Sequence, residues 1–474
     1  MMDVKLAKRI NINKFFVIFT IVVGFILSII IPLYMIPDEI THINMIYEER
    51  NLNYKFNEIS ESYRGSEYLM GFEDARVEKK DYFDLSKKIN VKKVFSIPKV
   101  SIVRHLPQAL GMIIGEILHL PVFFYLMIME IFALLFYVFI CNKALKKMPF
   151  KKSTLMVVML LPICLQQMAS VSYDVMLLSI SFLYIASIFE LKFSKEKITL
   201  KDVLLLFLYL IIITICKLPY GILGLLMFML PLSKFEIRLF CLKINGKEIE
   251  ENICKYKIMS IAITTFVLTI IGILTYKYLI SINSGRVLIA SISHPIDTAI
   301  LLARTIKHYL LFYVKTIVGQ FGLFNVNTNK IVDSLLLICV FVISMFNYKV
   351  IDDKIEVENN KFSKKDLFIL YITFFIIVYF VILAMFEWTL FAIGIESYDN
   401  MSLTKVAYYI KNIKLIGGVQ GRYFVPILPL ILIPLGNKKI YEKTLRLNPI
   451  LFQLIYYCFL GIYMVVFLLF RFWI

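Results

Sequence analysis

A chain of 474 residues that is 59% hydrophobic and only 18% charged departs from soluble domains, which are nearer half apolar and a quarter charged. With a mean hydropathy of +0.78, it reads as a polytopic membrane protein. Its formal charge of +18, from 52 basic and 34 acidic residues, would suggest nucleic acid in a soluble protein. Here the positive-inside rule explains the excess first, and nucleic acid is set aside as a partner.

Residues 1–14 are basic, and the apolar run from Phe15 to Ile36 is too long for a signal-peptide core and lacks a small-residue cleavage site. It reads as a retained anchor. Since a bilayer core takes about 20 apolar residues per helix, runs near 15–36, 121–141, 154–170, 174–191, 202–216, 219–233, 257–281, 331–347, 366–392, 420–436 and 449–473 are expected to span. The fold class is therefore all-α, a single integral membrane domain over 1–474 with about eleven membrane helices. Lysine and arginine recur in alternate connections, at Lys5, Lys8 and Arg9, at Lys143, Lys146 and Lys147, at Lys192, Lys195 and Lys197, and at Lys438, Lys439 and Lys443. That bias puts the N-terminus inside and Asp38 and Glu39 outside.

The first outer loop, 37–100, is too short for an enzyme domain with its own core and is expected to form short interfacial helices. Two segments are amphipathic. In Ile102–His119, Arg104, His105, Gln108, Glu116 and His119 share one third of a helical circle, and in Ala299–Thr316, Arg304, Lys307, His308 and Lys315 form a stripe opposite leucines and aromatics. Both patterns suit helices at the outer interface. The seven cysteines lie in apolar runs or inner loops, which implies no disulfide framework. No internal repeat is visible, and this weakens an inverted-repeat transporter.

Four motifs can carry chemistry. Pro37-Asp38-Glu39 puts two carboxylates at a membrane exit, and His42 follows one turn later. Either carboxylate could take a proton from an attacking hydroxyl, although a helix leaving the membrane often simply ends in charge. Three ligand types within five residues form no specific metal signature, and a divalent metal stays open. Gly417-Gly418-Val419-Gln420-Gly421-Arg422-Tyr423 exposes backbone beside an arginine that could grip a phosphate, or that could snorkel beside an aromatic-belt tyrosine. Lys217-Leu218-Pro219-Tyr220 interrupts an apolar stretch, so its lysine must reach water, a lipid phosphate or a carboxylate. In Ser170–Asp174, Asp174 is expected to cap the next helix, and the mid-span Glu130 to bond a neighbouring helix. No Walker, Rossmann, HExxH or GxSxG motif is present.

Taken together, Pro37-Asp38-Glu39, Leu106-Pro107-Gln108, Ala169–Asp174, Lys217–Tyr220, Gly319-Gln320-Phe321-Gly322 and Gly418–Pro426 resemble a family of bacterial predicted membrane proteins, the domain of unknown function DUF2142. That family is in turn similar to the GT-C glycosyltransferases. The resemblance implies a GT-C-like fold, a polyprenyl-phosphate sugar donor, a cell-surface glycan acceptor, no cofactor, and a multi-pass place in the bacterial plasma membrane. It makes Asp38 or Glu39 the base and Lys217 and Arg422 the phosphate ligands. His42, Arg104, His105, Gln108, Tyr173, Asp174, Tyr220, Gln320, Gln420 and Tyr423 become substrate-binding candidates. A transporter or flippase of a lipid-linked glycan is the alternative, since it would use the same cations without a base.

Overall fold

The structure is a computed structural model that describes residues 11–32, 35–52, 85–86, 96–239, 242–255, 283–321, 326–346, 348–351, 354–357, 362–395, 401–436 and 449–474. Helices dominate, and the described strands are three short antiparallel hairpins. Five helices are long and apolar enough to cross a membrane: Ile12–Ile30, Val122–Lys147, Asp174–Phe193, Lys364–Ala392 and Ile450–Phe472. Asp174–Phe193 is the hub, with 94% of its apolar window buried against 33–56% in the other four. A helix apolar on every side belongs at the centre of a bundle, whereas the others keep a face for lipid.

The expectation of eleven crossings is met only in part. The run at 154–170 is two short helices, Lys152–Met159 and Pro162–Met168, because Pro162 cannot donate to a continuing ladder. The runs at 219–233 and 420–436 are largely 3-10 helix, over Leu218–Met229 and Gly421–Ile427, again at segments that contain proline. Leu200–Cys216 and Lys330–Met345 are helical but short. Residues 257–281 and most of the loop 37–100 lie outside the described residues. The amphipathic 299–316 segment falls within Pro295–Val318, which meets Ser284–Ser293 at 110°, so the two form either a broken span or a re-entrant turn.

Close backbone approach ties the site end together. Gly111 lets Leu106–Ile117 cross Val122–Lys147, where a Cβ would lie 2.7 Å from the Met129 Cα. A buried polar network reinforces this crossing. Arg50 donates twice to Glu116, at 2.8 and 2.6 Å, Tyr125 donates to the same carboxylate at 3.3 Å, and Tyr47 and Tyr125 share a 2.7 Å hydrogen bond. The polar stripe of residues 102–119 is thus turned inward: His105, Gln108 and Glu116 are buried, and Leu106, Leu110, Ile117 and Leu118 face outward. In a bilayer that reversed polarity is the stable one. His119, by contrast, is exposed at a positive φ of 49°.

Candidate functional site

The helix Glu39–Glu49 begins after Asp38, which adopts a left-handed conformation (φ 68°) and makes no capping hydrogen bond with its side chain. Asp is among the few residues that tolerate this backbone. Asp38 is exposed while Glu39 is 2% exposed. The adjacent carboxylates therefore do different work. Glu39 accepts from the Val171 backbone N–H at 3.2 Å, which anchors the turn before Asp174–Phe193. The Asp38 carboxylate, its side chain 53% exposed, takes a hydrogen bond from Arg422 Nη2.

Arg422 is buried at the start of the Gly421–Ile427 turn. Its Nη1 donates to the Pro37 carbonyl at 3.3 Å, and its Nε lies 3.5 Å from Asp174 Oδ2. Asp174 does not cap its helix. Its own N–H donates to Ser172 Oγ at 3.1 Å, and its carboxylate serves Arg422 instead. Lys217 Nζ sits 3.2 Å from the Tyr423 ring centroid, a cation–π contact, and Tyr220 donates its hydroxyl proton to the Tyr423 carbonyl. Asp38, Asp174, Lys217, Tyr220, Arg422 and Tyr423 therefore meet in one cluster built from four separate chain segments.

A second row adjoins it. Gln108 Nε2 donates to the Ser172 carbonyl at 2.8 Å. Ser172 Oγ lies 3.4 Å from His42 Nε2, His42 Nδ1 lies 3.1 Å from His105 Nε2, and His105 Nδ1 lies 2.8 Å from Glu49 Oε2. Arg104 Nε donates to Glu49 Oε1 at 2.5 Å. Because an ionised Glu49 only accepts, His105 donates from Nδ1 and His42 donates onward from its own Nδ1, which leaves His42 Nε2 as an acceptor. Tyr173 packs edge-on to His42 with ring centroids 4.7 Å apart and lies under Arg104. Burial pushes His42 well below the usual histidine range, and the nearby His105, Arg422, Arg104 and Lys217 act in the same direction. His105 is also lowered by burial, against the opposing pull of Glu49. Both rings are neutral near pH 7.

The two remaining glutamine candidates are placed differently from each other. Gln320 is in a hairpin strand packed near Pro162–Met168. Gln420 caps the Gly421–Ile427 turn through its backbone, and its side-chain oxygen has no partner among the described residues. Glu130 is buried in Val122–Lys147, with Glu39 of the Glu39–Glu49 helix as a charged neighbour. Sequence reasoning did not single out Glu49 or Ser172. Glu49 lies seven residues after His42, two helical turns along the same face, and that spacing was the available signal. Among the described residues no group of three or more His, Cys, Asp and Glu side chains is placed to hold a metal ion.

Residues 19–431 match the family described as "Predicted membrane protein (DUF2142)", well over half of the 474-residue chain. The chain belongs to this family. The DUF2142 match runs from within the first helix past Arg422, and so takes in Asp38, the histidine row and the arginine turn. No curated protein and no solved structure matches the chain.

Proposed function

We propose that this protein is a GT-C-like membrane glycosyltransferase of the bacterial plasma membrane, with its N-terminus inside. It moves a sugar from a polyprenyl-phosphate donor to a cell-surface glycan on the outer face. The observation that supports this most directly is an exposed carboxylate, Asp38, held against a buried arginine with Lys217 alongside. Arg422 offers a planar fork suited to phosphate. A donor phosphate that takes the Nη2 position releases Asp38 beside the anomeric carbon. The acceptor hydroxyl then attacks that carbon, the bond from carbon to phosphate oxygen breaks, and the lipid phosphate leaves with the electron pair. Asp38 takes the hydroxyl proton. Arg422 and Lys217 stabilise the charge that gathers on the leaving phosphate. Glu39, buried on the Val171 amide, positions the turn and is not the base.

Asp38→Asn keeps size, backbone preference and an oxygen that can accept from Arg422, so transfer of labelled sugar from polyprenyl phosphate is expected to fall at least about a thousandfold while the protein stays folded and inserted. Full transfer in this variant defeats the assignment. A lipid-linked glycan transporter or flippase is favoured by one feature, the interrupted helices at 152–168 and 284–318. It needs no base, so head-group movement in liposomes that survives Asp38→Asn without new glycosidic bonds would select it.

A further inference from the structure

Six cations near the site take no part in the chemistry above. Arg304, Lys307 and Lys315 lie exposed on Pro295–Val318, and Lys405, Lys411 and Lys414 lie exposed on or just after Leu403–Asn412. These two helices pack on each other, which makes one continuous surface. None of the six side chains makes a hydrogen bond or ion pair among the described residues; over 284–321 and 401–421 the single acid is Asp297, and from the packed Lys330–Met345 helix Asp333 lies near enough to Lys315 to attract it. At the opposite end of the bundle four lysines are matched, Lys147 with Glu190, Lys192 with Asp366, Lys195 with Asp202, and Lys197 with Glu236. Others there, such as Lys143, Lys146, Lys364 and Lys365, are exposed without an ion pair among the described residues, as the positive-inside rule allows for an inner face. If the site end is outside, as the proposed function has it, these six cations stand on the side that the positive-inside rule depletes of lysine and arginine. Topology therefore does not explain them.

The surface is rigidly joined to the arginine turn. The Ile416 N–H donates to Thr305 Oγ1 at 3.0 Å and the Gly421 N–H donates to Thr316 Oγ1 at 2.8 Å. At 1.5 Å per residue, Arg304 to Lys315 spans about 16 Å along the helix. Such a row is too long for one phosphate and suits a repeating anion. Around Lys405, Lys411 and Lys414 the exposed neighbours include Ser402, Thr404 and Asn412 together with the amphipathic ring of Tyr408, a composition suited to the membrane–water boundary.

We infer that this surface is a rail for the acceptor, and that the acceptor is a polyanionic glycan with a phosphate or carboxylate in its repeat, led along the rail toward Asp38. This rests on the transferase reading and names the class of its acceptor. The test uses the full chain in nanodiscs of zwitterionic phosphatidylcholine, titrated with a fluorescent poly(glycerol phosphate) oligomer and, separately, with neutral dextran of equal length. The polyanion binds, dextran does not, and affinity falls steeply with salt. Two triple variants remove the charges, Arg304→Gln/Lys307→Gln/Lys315→Gln and Lys405→Gln/Lys411→Gln/Lys414→Gln. Each lowers affinity at least about tenfold and reduces the slope of log affinity against log salt by about two. As all six side chains are exposed, each variant melts at the parent temperature, and that melt is the folding control. The inference is overturned if the parent fails to bind the polyanion or the variants bind as the parent does. It is equally overturned if charge removal alters only retention in phosphatidylglycerol bilayers, which would make the surface a lipid contact. Asp38→Asn retains the polymer affinity. Lost binding with intact transfer therefore defeats the rail alone, and intact binding with undiminished transfer in Asp38→Asn defeats the base alone.

Discussion

The two ends of the bundle use their ion pairs differently. At the end away from the site, Lys147, Lys192 and Lys195 each have a carboxylate partner, while other lysines there, such as Lys146 and Lys365, stay exposed. Two of those carboxylates, Asp202 and Asp366, also close capping boxes with Thr199 and Ser363. These pairs sit on helix termini and fasten them. At the site end the ions are either deeply buried in networks, as with Arg50 and Glu116, or left facing outward without partners, as with Lys307 and Lys411. An exposed pair contributes little beyond local order. A buried pair loses much if half of it is removed, and an unpaired exposed cation remains available to a ligand.

The largest effect on folding is expected where burial is deepest. Arg50→Met strands the Glu116 carboxylate in the interior and is expected to cost about 3–5 kcal/mol, read as a lower midpoint of thermal unfolding in detergent. The double variant Arg50→Met/Glu116→Leu is expected to recover most of that loss. Next comes Gly421→Ala. The added Cβ collides with the Tyr313 carbonyl and lies 2.6 Å from Thr316 Oγ1, so about 1–3 kcal/mol of overpacking is expected, together with weaker phosphate binding as Arg422 is pushed out of place. The histidine row gives a smaller, pH-dependent effect. His42 and His105 both titrate lower in the folded protein than in the unfolded chain. Unfolded histidines bind protons first, near about pH 6.5, so stability is full above that pH and falls as the pH drops below it. His42→Asn is expected to flatten the acid limb of a plot of melting temperature against pH. The smallest effect belongs to the fastened end: Lys195→Met, its side chain 41% exposed, is expected to change stability by less than about 1 kcal/mol. A large loss there would erase the contrast between the two ends.

Long uninterrupted helices such as Val122–Lys147 and Asp174–Phe193 were legible because apolar length alone specifies them. The segments at 154–170, 219–233 and 420–436 were not. Their hydropathy is that of a span, but Pro162, Pro219 and Pro426 interrupt the ladder and tertiary packing holds the resulting short turns. At the candidate site, residue types singled out Asp38, Lys217 and Arg422, while their grouping did not follow from spacing. That Asp38 and Glu39 would diverge followed from helix geometry; which of them faces out did not, because Asp38 precedes the helix in a left-handed conformation. Asp174 looked like a cap, and only the approach of the 421–427 turn gives it another partner.

The hydrogen bond between Arg422 and Asp38 closes a separation of 384 residues. Its consequence concerns the order of manufacture. A chain inserted from its N-terminus presents Asp38 early, yet the guanidinium that answers it is delivered only after nearly all the intervening helices have been threaded and packed. The half-made protein holds this carboxylate without its arginine partner. The contact between Asp38 and Arg422 is thus among the last that the nascent protein acquires.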